Sequence, residues 1–134
     1  MADAIMVAAR GMIGAPFHLH GRCAASGVDC VGLVVLALEQ AGNRHARAAA
    51  PQGYRLRGGS VPLWEAGLRR AGLSPVAQGQ RPGDVVLVEA GVAQFHLMIG
   101  TDAGHVHAHA GLGRVVETPG PSPWPVVGRW RCGG

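Results

Sequence analysis

Lysine is absent from this 134-residue chain, and Phe, Trp and Tyr together make up only 4% of it. The net charge of +4 is therefore carried by 12 arginines against eight carboxylates. Those arginines stand singly or in pairs (Arg44 and Arg47, Arg55 and Arg57, Arg69 and Arg70) with few aromatics between them. That is a poor nucleic-acid footprint, and no nucleic-acid partner is expected. The positive balance suits another anionic partner, such as a cell-wall polymer or an acidic protein. Cysteine is also scarce. Cys23, Cys30 and Cys132 are odd in number and follow neither CxxC nor metal-knuckle spacing, which excludes a closed disulfide framework. No apolar run reaches the ~18 residues of a membrane span, so no membrane insertion is expected. Residues 1–13 lack the basic start, long apolar stretch and small-residue cleavage site of a signal peptide. The expectation is synthesis in a reducing cytoplasm, with any exit depending on delivery.

What is present fits one domain spanning residues 1–134. Gly 22, Pro 9 and a 48% hydrophobic fraction imply a fold with many tight turns. Ala2 to Ile13 reads as a helix, with Ile5, Met6, Ala9, Met12 and Ile13 on one stripe. Residues 14–29 form a long loop, and loops of that length inside compact domains are usually functional. A second helix begins at Cys30 and is apolar all round through Leu38, which calls for burial in the core. It ends near Ala41-Gly42-Asn43. Arg44 to Gly59 reads as irregular. Ser60-Val61-Pro62 opens a third helix to about Ala71, with Leu63, Trp64, Gly67, Leu68 and Ala71 as its buried stripe. After the Arg81-Pro82-Gly83-Asp84 turn come five short strands, at 85–88, 95–99, 106–109, 114–117 and 126–130. Helices followed by consecutive strands indicate an α+β fold on a five-stranded, largely antiparallel sheet.

The chemistry centres on Cys30. A thiol at a helix start meets unpaired amides and the positive end of the macrodipole, and both favour the thiolate. Ser26-Gly27-Val28-Asp29 supplies polar caps for that start. The competing reading is a small buried hydrophobe. Six of the seven histidines lie in 18–20 and 96–109. His96, between Phe95 and Leu97, is either a core histidine satisfied by a carbonyl or the base that takes the Cys30 proton. His107 is the candidate that orients it. His105, His107 and His109 alternate along one strand and share a face, which keeps open a rival three-histidine zinc site. Such ligands converge poorly on one ion, and no cofactor or metal is expected. His109 belongs at the cleft rim and His105 in a turn. His18, His20, Arg22 and Asp29 could line a substrate cleft with Phe17, Arg22 meeting a carboxylate. Cys23 and Cys132 have no helix-start context and read as inert.

Five stretches occur in register: Gly14-Ala15-Pro16-Phe17 with Gly21, Val28-Asp29-Cys30-Val31-Gly32-Leu33-Val34, Arg81-Pro82-Gly83-Asp84-Val85, Phe95-His96-Leu97-Met98-Ile99-Gly100, and Val106-His107-Ala108. Together they resemble the NlpC family of papain-like cell-wall cysteine peptidases. More narrowly, they are similar to the short peptidases of phage tails and gene transfer agents, in which Arg114-Val115-Val116-Glu117 is also familiar. The resemblance implies a papain-like fold with the nucleophile helix packed on the sheet that bears the histidines. It implies hydrolysis of peptidoglycan stem peptides, typically between D-glutamate and a diamino acid. By position, Cys30 is the nucleophile, His96 the base and His107 the third member. It also implies partners among tail hub or tail-tip proteins, and action at the cell wall as part of a delivered particle. Two positions depart from the pattern. Phe17 stands where many members have tyrosine, and Val31 where many have serine. Phe17 motivates a second reading, a structural tail-tip component that keeps the fold without the catalysis.

Overall fold

The computed structural model describes residues 2–51, 54, 61–77 and 79–132. The first half holds α1 (Ala2–Arg10), α2 (Cys30–Gln40), α3 (Ala46–Ala49) and α4 (Val61–Arg70). A small hairpin, β1 (Arg22–Cys23) with β2 (Gly27–Val28), leads into α2. The second half holds β3 (Leu73–Val76), β4 (Val85–Gly91), β5 (Gln94–Gly100), β6 (Gly104–His109), β7 (Arg114–Pro119) and β8 (Val126–Cys132). These form one antiparallel sheet in the order β3-β8-β4-β5-β6-β7.

The α+β expectation holds, with six strands rather than five. The extra strand, β3, has the sequence Leu-Ser-Pro-Val and, among the described residues, pairs only with β8. A proline cannot donate to a ladder, so it argues against a strand everywhere except at an edge, which is where β3 lies. A short helix, α3, interrupts the stretch read as irregular. The first helix stops at Arg10 rather than Ile13, and Ile13 is exposed as a result. Leu63 is 40% exposed, while Trp64, Gly67 and Leu68 of α4, with Ala71 just beyond it, are buried. The Ser60 cap expected for this helix lies outside the described residues, as do Arg55 and Arg57.

The centre of the core is α2. Every residue from Cys30 to Val35 is buried, with Ala37 and Leu38. Its start is capped by Asp29, whose side chain accepts from the Gly32 amide. Its end is a Schellman turn, in which Gly42 N–H reaches Glu39 O at 3.0 Å and Asn43 N–H reaches Leu38 O at 2.8 Å. Gly42, at φ +100°, supplies the left-handed residue this turn requires. Strand alternation divides the sheet into two faces. Val85, Leu87, Leu97, Ile99, Val106 and Ala108 pack with α2, while Val86, Val88 and Met98 form a second layer under Trp124 and Val126.

Residues 14–17 strap this assembly to the far edge of the sheet. Gly14 N–H bonds to Val115 O, Val115 N–H to Ala15 O, and Phe17 N–H to Gly113 O. The loop then passes so close to α2 that a Cβ on Gly32 would collide with the carbonyl oxygen of Gly21. In an exposed helix, Gly→Ala stabilises by about 1 kcal/mol. Gly32→Ala should do the reverse, destabilising by about 1–3 kcal/mol through overpacking. Urea denaturation of the variant checks the sign.

Candidate functional site

The site is built where β5 and β6 part. These strands pair at Ile99 with Val106 and at Gly100 with His105, and their register extends no further. On β5 beyond that point lie Leu97 and His96, and on β6 lies His107. The start of α2 packs into this opening. Cys30 lies near enough to Leu97, the residue after His96, for the Leu97 amide to favour its anion. His96 Nε2 and His107 Nδ1 lie 3.1 Å apart with their rings nearly perpendicular. His107 Nε2 lies 2.8 Å from Thr118 Oγ1 on β7. Trp124 stands edge-on to both imidazoles, at centroid distances of 5.6 Å. Alongside His96 runs a solvent-open cleft of about 170 Å³, walled by Phe17, Phe95, Trp124 and His109.

Burial decides the protonation of this group. Cys30 is 0% exposed. Its thiol is pushed up to about 12, first by burial and then by the Asp29 carboxylate, against the pull of the Leu97, Val31 and Cys30 amides. A rise of that size from 9.0 corresponds to roughly 4 kcal/mol against the anion, whereas a helix end contributes about 1 kcal/mol in its favour. The activated thiolate expected from the helix start is thus overridden. His96 falls to about 3, through burial and then repulsion from His107 and His109. His107 falls to about 4, through burial and then repulsion from His109 and His105. At neutral pH the pair is thiol and neutral imidazole. The more acidic thiol is Cys23, exposed at the hairpin and lowered by the amide and hydroxyl of Ser26 and the Ala25 amide.

Asp29 is fully buried, and its carboxylate is taken up by the protein itself. It accepts from Gly32 N–H at 2.8 Å, His20 N–H at 2.8 Å, Arg22 at 3.3 Å and the Tyr54 hydroxyl. Arg22 also donates to Gly21 O and the Tyr54 oxygen. Through these bonds Asp29 and Arg22 tie the loop to α2. His20 joins the same cluster, with Nε2 2.8 Å from Tyr54 O and its backbone held at φ +61°. His18 is exposed, with Nδ1 2.9 Å from Leu19 O. Phe17 and His109 do line the cleft.

The histidines of β6 point to different partners. His105 is buried in the strand, not in a turn, and its Nε2 faces Gln80. His107 faces His96 and Thr118, and His109 Nδ1 accepts from Leu112 N–H. Among the described residues, no three His, Cys, Asp or Glu side chains are grouped to hold a metal ion. Sequence reasoning missed Tyr54, Thr118 and Trp124. Tyr54, the chain's sole tyrosine, and Trp124, inside Pro-Ser-Pro-Trp-Pro, carried weak compositional signals. Thr118 carried none, because it neighbours His107 only diagonally across the β6–β7 register.

Two measurements follow from these protonation states. Iodoacetamide at pH 7.5 should label Cys23 first and leave Cys30 largely unmodified until alkaline pH or denaturant, as read by mass mapping. His96 and His107 remain neutral in the fold well below their ordinary 6.5, so the unfolded chain binds more protons below that pH. Stability should therefore fall as pH drops from about 6.5 toward 4. Thermal melts across that range should show the decline, and His107→Asn should flatten it.

No protein-family model matches the chain, and no curated protein matches it. Solved structures do. NlpC1 from Trichomonas vaginalis superposes with a TM-score of 0.66 at 16% identity, over 97% of this chain and 44% of that one. This chain thus spans less than half the length of the Trichomonas protein. The NlpC/p60 domain of the peptidoglycan hydrolase SagA gives a TM-score of 0.56 at 24% identity, covering 89% of each chain. The P60 domain of an antigen from M. avium subspecies paratuberculosis gives 0.59 at 18% identity, covering 98% of this chain and 93% of that one. At these identities the likeness is one of architecture, and the fold of this chain is the α+β fold of the NlpC/P60 domains.

Proposed function

We propose that the protein is a peptidoglycan hydrolase, a cysteine peptidase that cleaves stem peptides. The observation that carries this reading is the conjunction at the β5–β6 opening. A helix-start cysteine lies near Leu97, the residue after His96, and His96 is paired through Nε2 with a buried second histidine. The NlpC/P60 fold, shared with the peptidoglycan hydrolase SagA, supports the substrate class.

In this reading His96 works as a general base on a neutral thiol. As Cys30 Sγ attacks the scissile carbonyl carbon, the S–H proton passes to the free Nδ1 of His96 and a carbon–sulfur bond forms. The oxyanion lies against the Cys30 amide, one of the donors that a helix start leaves unpaired. Collapse breaks the carbon–nitrogen bond, and the His96 proton leaves with the amine. Water then attacks the thioester, giving one proton to His96 and breaking the carbon–sulfur bond. That proton returns to Cys30, so enzyme charge and proton count are restored. His107 holds the imidazole and faces its transient positive charge. The bond between D-glutamate and a diamino acid is the proposed target, and a phage or gene-transfer-agent tail tip the proposed vehicle. Motif order supports both.

Full burial of Cys30 favours one second reading, a tail-tip scaffold of the same fold without catalysis. Incubating purified protein with purified peptidoglycan separates the two. The peptidase reading expects new amino termini and carboxylates from stem peptides, abolished by Cys30→Ala and reduced at least 100-fold by His96→Ala. Absence of hydrolysis by free and particle-bound protein, with intact delivery by Cys30→Ala particles, would establish the scaffold reading instead.

A further inference from the structure

We propose that Thr118 is a positioning residue that sets the direction of the proton chain through His107 and His96. The argument starts from counting protons. A neutral imidazole carries one N–H and one lone pair. His107 is 1% exposed and has both ring nitrogens against protein partners, His96 Nε2 at 3.1 Å and Thr118 Oγ1 at 2.8 Å. Two ordered arrangements are open to such a chain. In the first, His107 Nε2–H donates to Thr118 Oγ1, His96 Nε2–H donates to His107 Nδ1, and His96 Nδ1 is left with a lone pair. In the second, every bond runs the other way and His96 Nδ1 bears a proton.

Only the first arrangement makes His96 a base. It also accommodates the charged intermediate. When His96 gains a proton, its Nε2–H still donates to His107 Nδ1 and the Nε2–H of His107 still finds the Thr118 oxygen. The reversed chain has no lone pair at His96 Nδ1 to receive the proton. A hydroxyl suits this task because it accepts at the lone pair while its own hydrogen rotates elsewhere. Without that acceptor, the buried His107 Nε2–H would be unsatisfied and the ring would favour the opposite tautomer. Trp124 stands edge-on to both imidazoles and packs against the chain.

The catalytic part of this inference rests on the peptidase reading, while the tautomer part stands by itself. The experiment is long-range proton–nitrogen NMR on the full chain with nitrogen-15 histidine, alongside kcat and KM on peptidoglycan fragments. In the native protein near pH 7, His96 and His107 should both be protonated at Nε2 and bare at Nδ1. Thr118→Val should shift His107 toward the Nδ1–H form and lower kcat by roughly tenfold or more at unchanged KM. Thr118→Ser should restore both. A native His107 carrying its proton on Nδ1 overturns the inference. So does a folded Thr118→Val protein with unchanged nitrogen shifts. The expected tautomers in a protein that hydrolyses nothing would count against the peptidase reading and leave the proton order in place.

Discussion

The site depends on one buried carboxylate. Asp29 caps α2 at Gly32 and at the same time gathers His20, Arg22 and Tyr54 from three points of the chain. A buried charge of this kind is tolerable only when paired and fully hydrogen-bonded, and Asp29 is both. The arrangement fixes where the long loop ends and the helix begins, and hence where the thiol sits. Gly21 and Gly32 complete the fit, because the loop backbone presses on the helix at a spot where no side chain can stand.

That placement has an electrostatic consequence. The same Asp29 that orders the helix start disfavours an anion next to it, and burial works in the same direction. The imidazoles respond in the mirror sense and stay uncharged. The resting centre is accordingly neutral, and any charge develops only when bonds change. A neutral centre is compatible with the apolar packing around it, where a standing ion pair would have to offset a desolvation cost of several kcal/mol per ion.

Much of this was legible in the chain. The second helix, its apolar girth and its end at Gly42 follow from composition and turn chemistry, and the five strands after Gly83 from alternation and punctuation. His96 was conspicuous because a polar ring in an apolar strand needs a reason. The protonation of Cys30 was not legible. A helix start and a burial environment act in opposite directions, and only the depth of the site decides between them. The bonding of Asp29 was not legible for a related reason. Sequence shows a carboxylate beside Cys30 but not that four donors surround it. Thr118 depends on strand register, which local pattern does not encode, and β3 hides behind its proline.

The parting of β5 and β6 has a further meaning for the sheet. A sheet joined along its full length is a plate, whereas β5 and β6 share two rungs, at Ile99 and Gly100. On one side lie β3, β8, β4 and β5, and on the other β6 and β7. Cys30, His96 and His107 all sit at the unlatched end of this book. What holds the two pages together at that end is side chains rather than backbone: His96 meets His107 at 3.1 Å, and Leu97 and Ala108 share the core packed around α2.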